Sequence, residues 1–190
     1  VRIEDGEVQL ETIGGVEPQG ICGSGLIDLL AELRRTDVMT ELGVFSDGSS
    51  EFTFASEQGM TLSRADISAL AQAKAANYCG QAIVLREYGI KANQVENLYL
   101  AGGFANYINE INAVEIGFIA NVPSRRIKKV GNASLEGATL MLTSSEMRRR
   151  IEKLAQRVEH VELETISDFF EMFVEGCHFK PMMTSGGENV

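Results

Sequence analysis

Val95-Glu96-Asn97-Leu98-Tyr99-Leu100-Ala101-Gly102-Gly103-Phe104-Ala105-Asn106 is the stretch on which the fold reading turns. Its apolar run reads as a buried strand from Val95 to Ala101. The run ends in two glycines, and a helical pattern opens at Asn106. A strand thus delivers its backbone to a helix N-terminus through a bend without side chains. Glycine is the default residue where a turn needs positive φ, and it also lets a ring or a phosphate approach the main chain. A helix start adds unpaired N–H groups and the positive end of a dipole. Taken alone, Gly102-Gly103 is compatible with either use.

Upstream, Ser63-Arg64-Ala65-Asp66 has the form of a helix start, with Ser63 as cap and Asp66 as a first-turn acid. That helix is expected to run to about Tyr88 and stop at Gly89. Ala69, Ala71, Ala73, Ala75, Ala76, Gly80 and Ala82 make its middle narrow, which suits close packing. Downstream, Asn106 to Gly117 reads as a helix and Ile127 to Val130 as a short strand. Gly131-Asn132-Ala133-Ser134 then leads into a Gly- and Ala-rich helix through Leu142. A charged helix capped by Ser144 or Ser145 runs to about Val158. Val161 to Leu163 is a strand candidate. Ser167 to Val174 is an amphipathic helix, with Phe169, Phe170 and Phe173 assigned to core.

At the other end, Arg2-Ile3-Glu4 and Glu7-Val8-Gln9-Leu10 flank Asp5-Gly6, the signature of a type I′ hairpin. A glycine-rich segment, Gly20-Ile21-Cys22-Gly23-Ser24-Gly25, runs into Leu26-Ile27-Asp28-Leu29-Leu30-Ala31-Glu32-Leu33. The leucines there have helical spacing, and Ser24 reads as the N-cap. Cys22 reads as a small buried residue, or as a thiol with a lowered pKa at a helix start. Glu51 to Phe54 is a further strand candidate. Strands and helices alternate through the middle of the chain, which favours a layered α/β domain. The chain opens inside structure rather than at a methionine, so it is expected to be a fragment of a longer protein. Met182 to Val190 has tail composition and is expected to be mobile.

Composition excludes several function classes. The chain has 190 residues, 27 acidic and 17 basic, with a net charge of −10. That balance argues against nucleic acid as a partner, because phosphate neutralisation drives such binding. Three cysteines far apart, with no C-x-x-C pair, argue against a disulfide framework or an iron–sulfur cluster and suit a reducing, cytoplasmic setting. Two histidines without H-x-x-x-H spacing argue against a zinc site. No apolar run approaches the roughly 20 residues of a membrane span, and no signal peptide opens the chain. The first glycine motif is neither a dinucleotide fingerprint nor a P-loop, since the spacing and the Gly-Lys-Ser/Thr are missing.

The order of the motifs is more informative than any one of them. A Gly-rich loop and helix, a long alanine-rich helix, a strand–Gly-Gly–helix unit and a Gly-Asn-Ala turn into a Gly-Ala helix resemble the second half of an actin-like ATPase domain. That superfamily includes sugar kinases and heat-shock chaperones. "GICGSGLIDLLAEL", "AGGFANYINEINAVEIGFI", "VGNASLEGATLML" and "HVELETISDFFEMFVEGCHF" resemble the C-terminal region of the reductive activators of corrinoid proteins. The resemblance spans about Val1 to Pro181. It implies an α/β, ribonuclease H-like lobe with a mixed sheet packed by helices over residues 1–181, followed by a tail over 182–190.

The family resemblance also implies chemistry. Such activators couple ATP hydrolysis to electron transfer and restore Co(II) corrinoids to Co(I) in methyltransferase systems. They carry a [2Fe–2S] domain and an earlier half-domain with Asp-containing phosphate loops. This chain has no D-x-G-[ST]-[ST] loop; Asp47-Gly48-Ser49-Ser50 lacks the spacing and the preceding strand. ATP or ADP with Mg²⁺ is therefore expected to bind weakly or not at all to this chain alone, and hydrolysis is not expected. By the resemblance, Gly102 and Gly103 lie against adenine or ribose with Phe104 and Asn106 nearby. Gly23, Ser24 and Gly25 lie near ribose or phosphate, and Lys74 reaches the ribose. The implied partners are a corrinoid protein and the missing N-terminal lobe, with a homodimer as a further option. The competing reading is a protein-docking module that uses no nucleotide.

Overall fold

The structure, a computed structural model, describes residues 1–182. The tail expected over 182–190 falls outside the described residues, except for Met182, which is buried.

The hairpin forms where Asp5-Gly6 demanded it. β1 (Arg2–Glu4) pairs antiparallel with β2 (Glu7–Gln9), and Asp5 and Gly6 both take positive φ, at 51° and 83°. α1 (Gly23–Arg35) then buries Leu29, Leu30 and Leu33 at helical spacing. It also holds the first strand. Glu32 accepts the Ile3 N–H at 2.7 Å, and Arg35 donates to the Ile3 carbonyl at 2.9 Å. Arg35 and the backbone amide of Ile3 together keep the Glu32 carboxyl below the ordinary carboxylate range.

β3 (Glu51–Ala55) and β4 (Met60–Ser63) form a second antiparallel pair that leads directly into α2 (Arg64–Glu87). The expected capping box is present. Ser63 Oγ accepts from the Asp66 N–H at 3.1 Å, and the Asp66 carboxylate accepts from the Ser63 N–H at 3.0 Å. The helix ends with Gly89 at φ 71°.

β5 (Leu98–Leu100) is shorter than the expected strand and is not buried. Tyr99 faces solvent at 60% exposure, while Leu98 and Leu100 are half-buried. The strand has one neighbour, β6 (Ile127–Lys129), with which it pairs in parallel. Between them, the helix expected over 106–117 is broken into α3 (Gly103–Tyr107) and α4 (Glu110–Glu115). Asn109 causes the break. Its side chain accepts from the Ile111 and Asn112 amides, at 3.0 and 3.3 Å, and so starts a new helix rather than continuing the old one. Lys129 holds the kink open by donating to the freed Ile108 carbonyl at 2.6 Å. Among the described residues, the expected mixed sheet is thus divided into three two-stranded sheets.

α5 (Ala133–Thr143) and α6 (Ser145–Ala155) pack chiefly on each other, capped by Asn132 and Ser144, and neither contributes a buried residue. The strand expected at 161–163 is absent, and a 3₁₀ turn spans Leu163–Thr165. α7 (Phe169–Gly176) lies along α2. Phe169 and Phe173 join the core, whereas Phe170 points away at 74% exposure, because it is rotated off the face that meets α2.

Two hydrophobic clusters divide the interior. One gathers Leu29, Leu33, Met39, Phe45, Ile67, Ile116 and Phe179 around α1. The other gathers Tyr78, Cys79, Ile83, Ala120, Val122 and Met182 around the second half of α2. The small residues of α2 do what their size suggests. The face of Gly176 opposite Ala75 leaves a Cβ only 3.1 Å from the Ala75 Cα, so α7 seats on α2 without an intervening side chain.

Candidate functional site

The β5–β6 pair brings two of the glycine turns together. The Gly102 N–H donates to the Gly131 carbonyl at 2.6 Å, and the Val130 N–H donates to the Leu100 carbonyl at 2.9 Å. Gly102 sits at φ 99°, ψ 163°, and Gly131 at φ 66°. The first combination is essentially restricted to glycine. Beyond Gly102 the chain turns into α3, and Phe104 comes to rest over the start of α1. A Cβ added at Gly23 would lie 2.7 Å from Phe104 Cε2. Phe104 also meets Phe118 edge-on, with ring centroids 6.0 Å apart and planes at 72°.

These contacts frame an open crevice of about 710 Å³. It is lined by Cys22, Gly23, Ser24 and Gly25 at the start of α1 and by Gly103, Phe104 and Tyr107 of α3. Most of the loop from Leu10 to Ile21 forms a further wall, and Phe54 completes the lining. No atom lies within 4 Å of where a Cβ would stand on Gly102 or Gly103, so the main chain there is open to a visitor.

Of the eight residues singled out in the sequence, Gly23, Ser24, Gly25, Gly103 and Phe104 line this crevice. Gly102 adjoins it through Gly103. Asn106 is exposed on α3 but is not part of the lining. Lys74 lies elsewhere. It is 3% exposed, and its Nζ donates to the carbonyls of Gly176 at 2.5 Å and His178 at 2.7 Å, so it caps the end of α7. Burial drops its pKa from the ordinary lysine value to about 8. The rings of Tyr78 and Phe179 flank the ammonium, with centroids at 5.8 and 5.5 Å.

The cap of α1 is corrected by the structure. Cys22, not Ser24, occupies the N-cap position, and its Sγ accepts from the Gly25 N–H at 3.4 Å. Cys22 is exposed rather than buried. The Ser24 hydroxyl, 3.2 Å away, and the Gly25 amide lower its thiol pKa below the ordinary value. Cys79 and Cys177 behave in the opposite way, since burial raises both.

Tyr107 and the Leu10–Ile21 wall escaped the sequence reading. Tyr107 follows Phe104 by three positions, a helical spacing that carries a signal. The loop wall carries none, because only chain folding brings it back over α1.

A parallel β–α–β crossover with glycine turns facing a crevice, beside a long helix and a separate helical hairpin, defines a lobe of the actin-like ATPase superfamily. The chain belongs to the family described as the C-terminal domain of RACo, the ASKHA domain, whose model matches residues 1–186. It is 29% identical over 214 residues to the corrinoid activation enzyme RamQ of Eubacterium limosum, covering 100% of this chain and 35% of that protein. Among solved structures it is similar to a reductive activator for corrinoid, iron-sulfur protein, with a TM-score of 0.83 and 31% identity over 96% of this chain and 32% of the other. The chain therefore spans about a third of the length of these relatives.

Among the described residues no helix is long and apolar enough to cross a membrane, and no group of three or more His, Cys, Asp or Glu is placed to hold a metal ion. A [2Fe–2S] cluster takes four thiolate ligands. The chain's three cysteines lie at the start of α1, in the middle of α2 and after α7, and do not fit such a cluster.

Proposed function

We propose that this chain is the nucleotide-binding C-terminal part of an ATP-dependent reductive activator, which returns Co(II) corrinoid proteins to Co(I). The observation that carries the reading is the crevice itself. Residues 23–25 and 103–104 are far apart in sequence, and they meet around one open cleft with bare main chain on the strand–helix side. A β–α–β unit with glycine at its turn suits close approach of a planar nucleoside. The family membership and the corrinoid-related names of its relatives supply the wider reaction.

Phosphoryl transfer depends on positioned metal and charge. This sequence lacks the Asp-containing phosphate loop and no lysine or arginine lines the crevice, so the isolated chain binds nucleotide without turning it over. Two-dimensional NMR with adenosine nucleotides tests the first half: shifts confined to residues 22–25 and 103–107 are expected. A phosphate-release assay tests the second, and sustained MgATP turnover by this chain contradicts the assignment.

A second reading, protein docking, is favoured by the α5–α6 hairpin. Leu135, Leu142 and Leu154 are 63%, 80% and 57% exposed on it. Residues 125–157 hold nine of the chain's 17 basic residues but only three of its 27 acidic ones, so this region is positive in a negative chain. An uncovered apolar and basic face suits a protein surface, either a corrinoid protein or the earlier lobe of the activator. Pull-down of a corrinoid protein with and without ATP separates the two readings.

A further inference from the structure

We propose that the crevice selects the uncharged nucleoside end of its ligand and disfavours phosphate. This inference rests on the nucleotide reading above and concerns what the site discriminates. The charged side chains on the lining are Glu11, Glu17 and Asp28, with no lysine or arginine among them; the Val1 ammonium also lines the crevice, 3.8 Å from Asp28. Hydrogen bonds engage two of these acids without cancelling their charge. Asp28 accepts from Asn112 at 2.7 Å, and Glu17 accepts from Gln58 at 3.1 Å. The Val1 ammonium offsets one carboxylate and the start of α1 contributes about half a positive charge at most, which together still fall short of three carboxylates.

Beside the polar side chains of Thr12, Gln19 and Ser24, much of the remaining lining is apolar or aromatic. Leu10, Ile13, Val16 and Ile21 face Phe104 and Tyr107, whose rings are 44% and 78% exposed. Exposed aromatic faces beside a bare glycine backbone suit a flat base. Every phosphate added to that base brings negative charge toward the acidic wall, with no side-chain cation to receive it. The basic residues of the chain are concentrated at 125–157, and none of these lines the cleft.

The test is a titration of the whole chain with adenosine, AMP, ADP and ATP in EDTA at low ionic strength, read by calorimetry and by amide shifts. Affinity is expected to fall about two- to threefold with each phosphate, and about 0.5 M KCl is expected to compress the series. The Glu11→Gln/Glu17→Gln variant alters two exposed side chains and is expected to flatten it. Metal-free ATP binding tenfold tighter than adenosine overturns the inference but leaves the nucleotide reading standing. An unchanged series in the variant and in high salt also overturns the inference alone. If no member of the series shifts residues 22–25 or 103–107, the nucleotide reading itself fails, and this inference fails with it.

Discussion

Gly23 and Phe104 are in direct apposition: a methyl group on Gly23 would stand 2.7 Å from Phe104 Cε2. One residue opens α1 and the other lies in the second turn-and-helix unit, so this contact joins the two glycine motifs into one site. Gly23→Ala is expected to push the Phe104 ring outward, because Phe104 is partly exposed and can swing. Stability is expected to change by less than about 1 kcal/mol, since alanine is at least as good as glycine in a helix. Adenosine affinity is expected to fall severalfold. Thermal melts and nucleoside titrations of the same sample check both halves.

Gly102 makes the opposite prediction. Its φ of 99° and ψ of 163° strain any side chain, although there is space for one. Gly102→Ala is expected to destabilise the chain by about 1–3 kcal/mol through backbone strain. Urea unfolding measures this, and a loss below a few tenths of a kcal/mol contradicts the strained backbone.

Cys22 is expected to be the first thiol to react. It is exposed, and a neighbouring hydroxyl and amide lower its pKa, whereas burial raises Cys79 and Cys177. Brief iodoacetamide treatment near neutral pH, followed by peptide mass spectrometry, is expected to label Cys22 well ahead of the others. Cys22→Ala is expected to cost about 0.5–2 kcal/mol through loss of the cap, and Cys22→Ser much less.

Lys74 gives a pH dependence of defined sign. Its folded-state pKa, about 8, lies below the ordinary lysine value of 10.5. Between those limits the unfolded chain binds more protons, so the contribution of Lys74 to stability rises with pH. Lys74→Met leaves the Gly176 and His178 carbonyls without this donor, and is expected to cost about 1–3 kcal/mol. The difference between wild type and variant is expected to widen from pH 7 to pH 10. Denaturant unfolding of both proteins across that range shows whether it narrows instead.

The α5–α6 hairpin is expected to be the least protected helical region. With no buried residue on either helix, little holds it beyond its own caps and mutual packing. Amide exchange for residues 133–155 is expected to be faster than for α2. Slow exchange there in the isolated chain indicates that a second molecule covers the leucines.

Local elements were legible wherever a single residue type enforces them. Asp5-Gly6, the Ser63–Asp66 box and the glycine at position 89 each settle a turn or an end by φ preference or by hydrogen bonding. The break at Asn109 was less legible, because a helix-period apolar pattern from Ile108 to Ile116 continues straight through the cap. Phe170 misled for a related reason: apolar spacing alone does not say how wide a face the neighbouring helix covers. Among the candidate glycines, the close approach at Gly23 and the positive φ at Gly102 were readable from residue type. The competition for Lys74 was invisible, because its two carbonyl partners lie more than a hundred residues away.

The amino-acid sequence by itself determined most of the order of elements, the family and several positions where side chains are excluded. Those properties follow from local stereochemistry and from motif order along the chain. Only tertiary structure decided that two distant glycine motifs share one cleft, that the cleft wall is acidic and that the conspicuous lysine caps a helix. These depend on which surfaces are brought face to face, and burial and hydrogen-bond competition settle that across the whole chain at once.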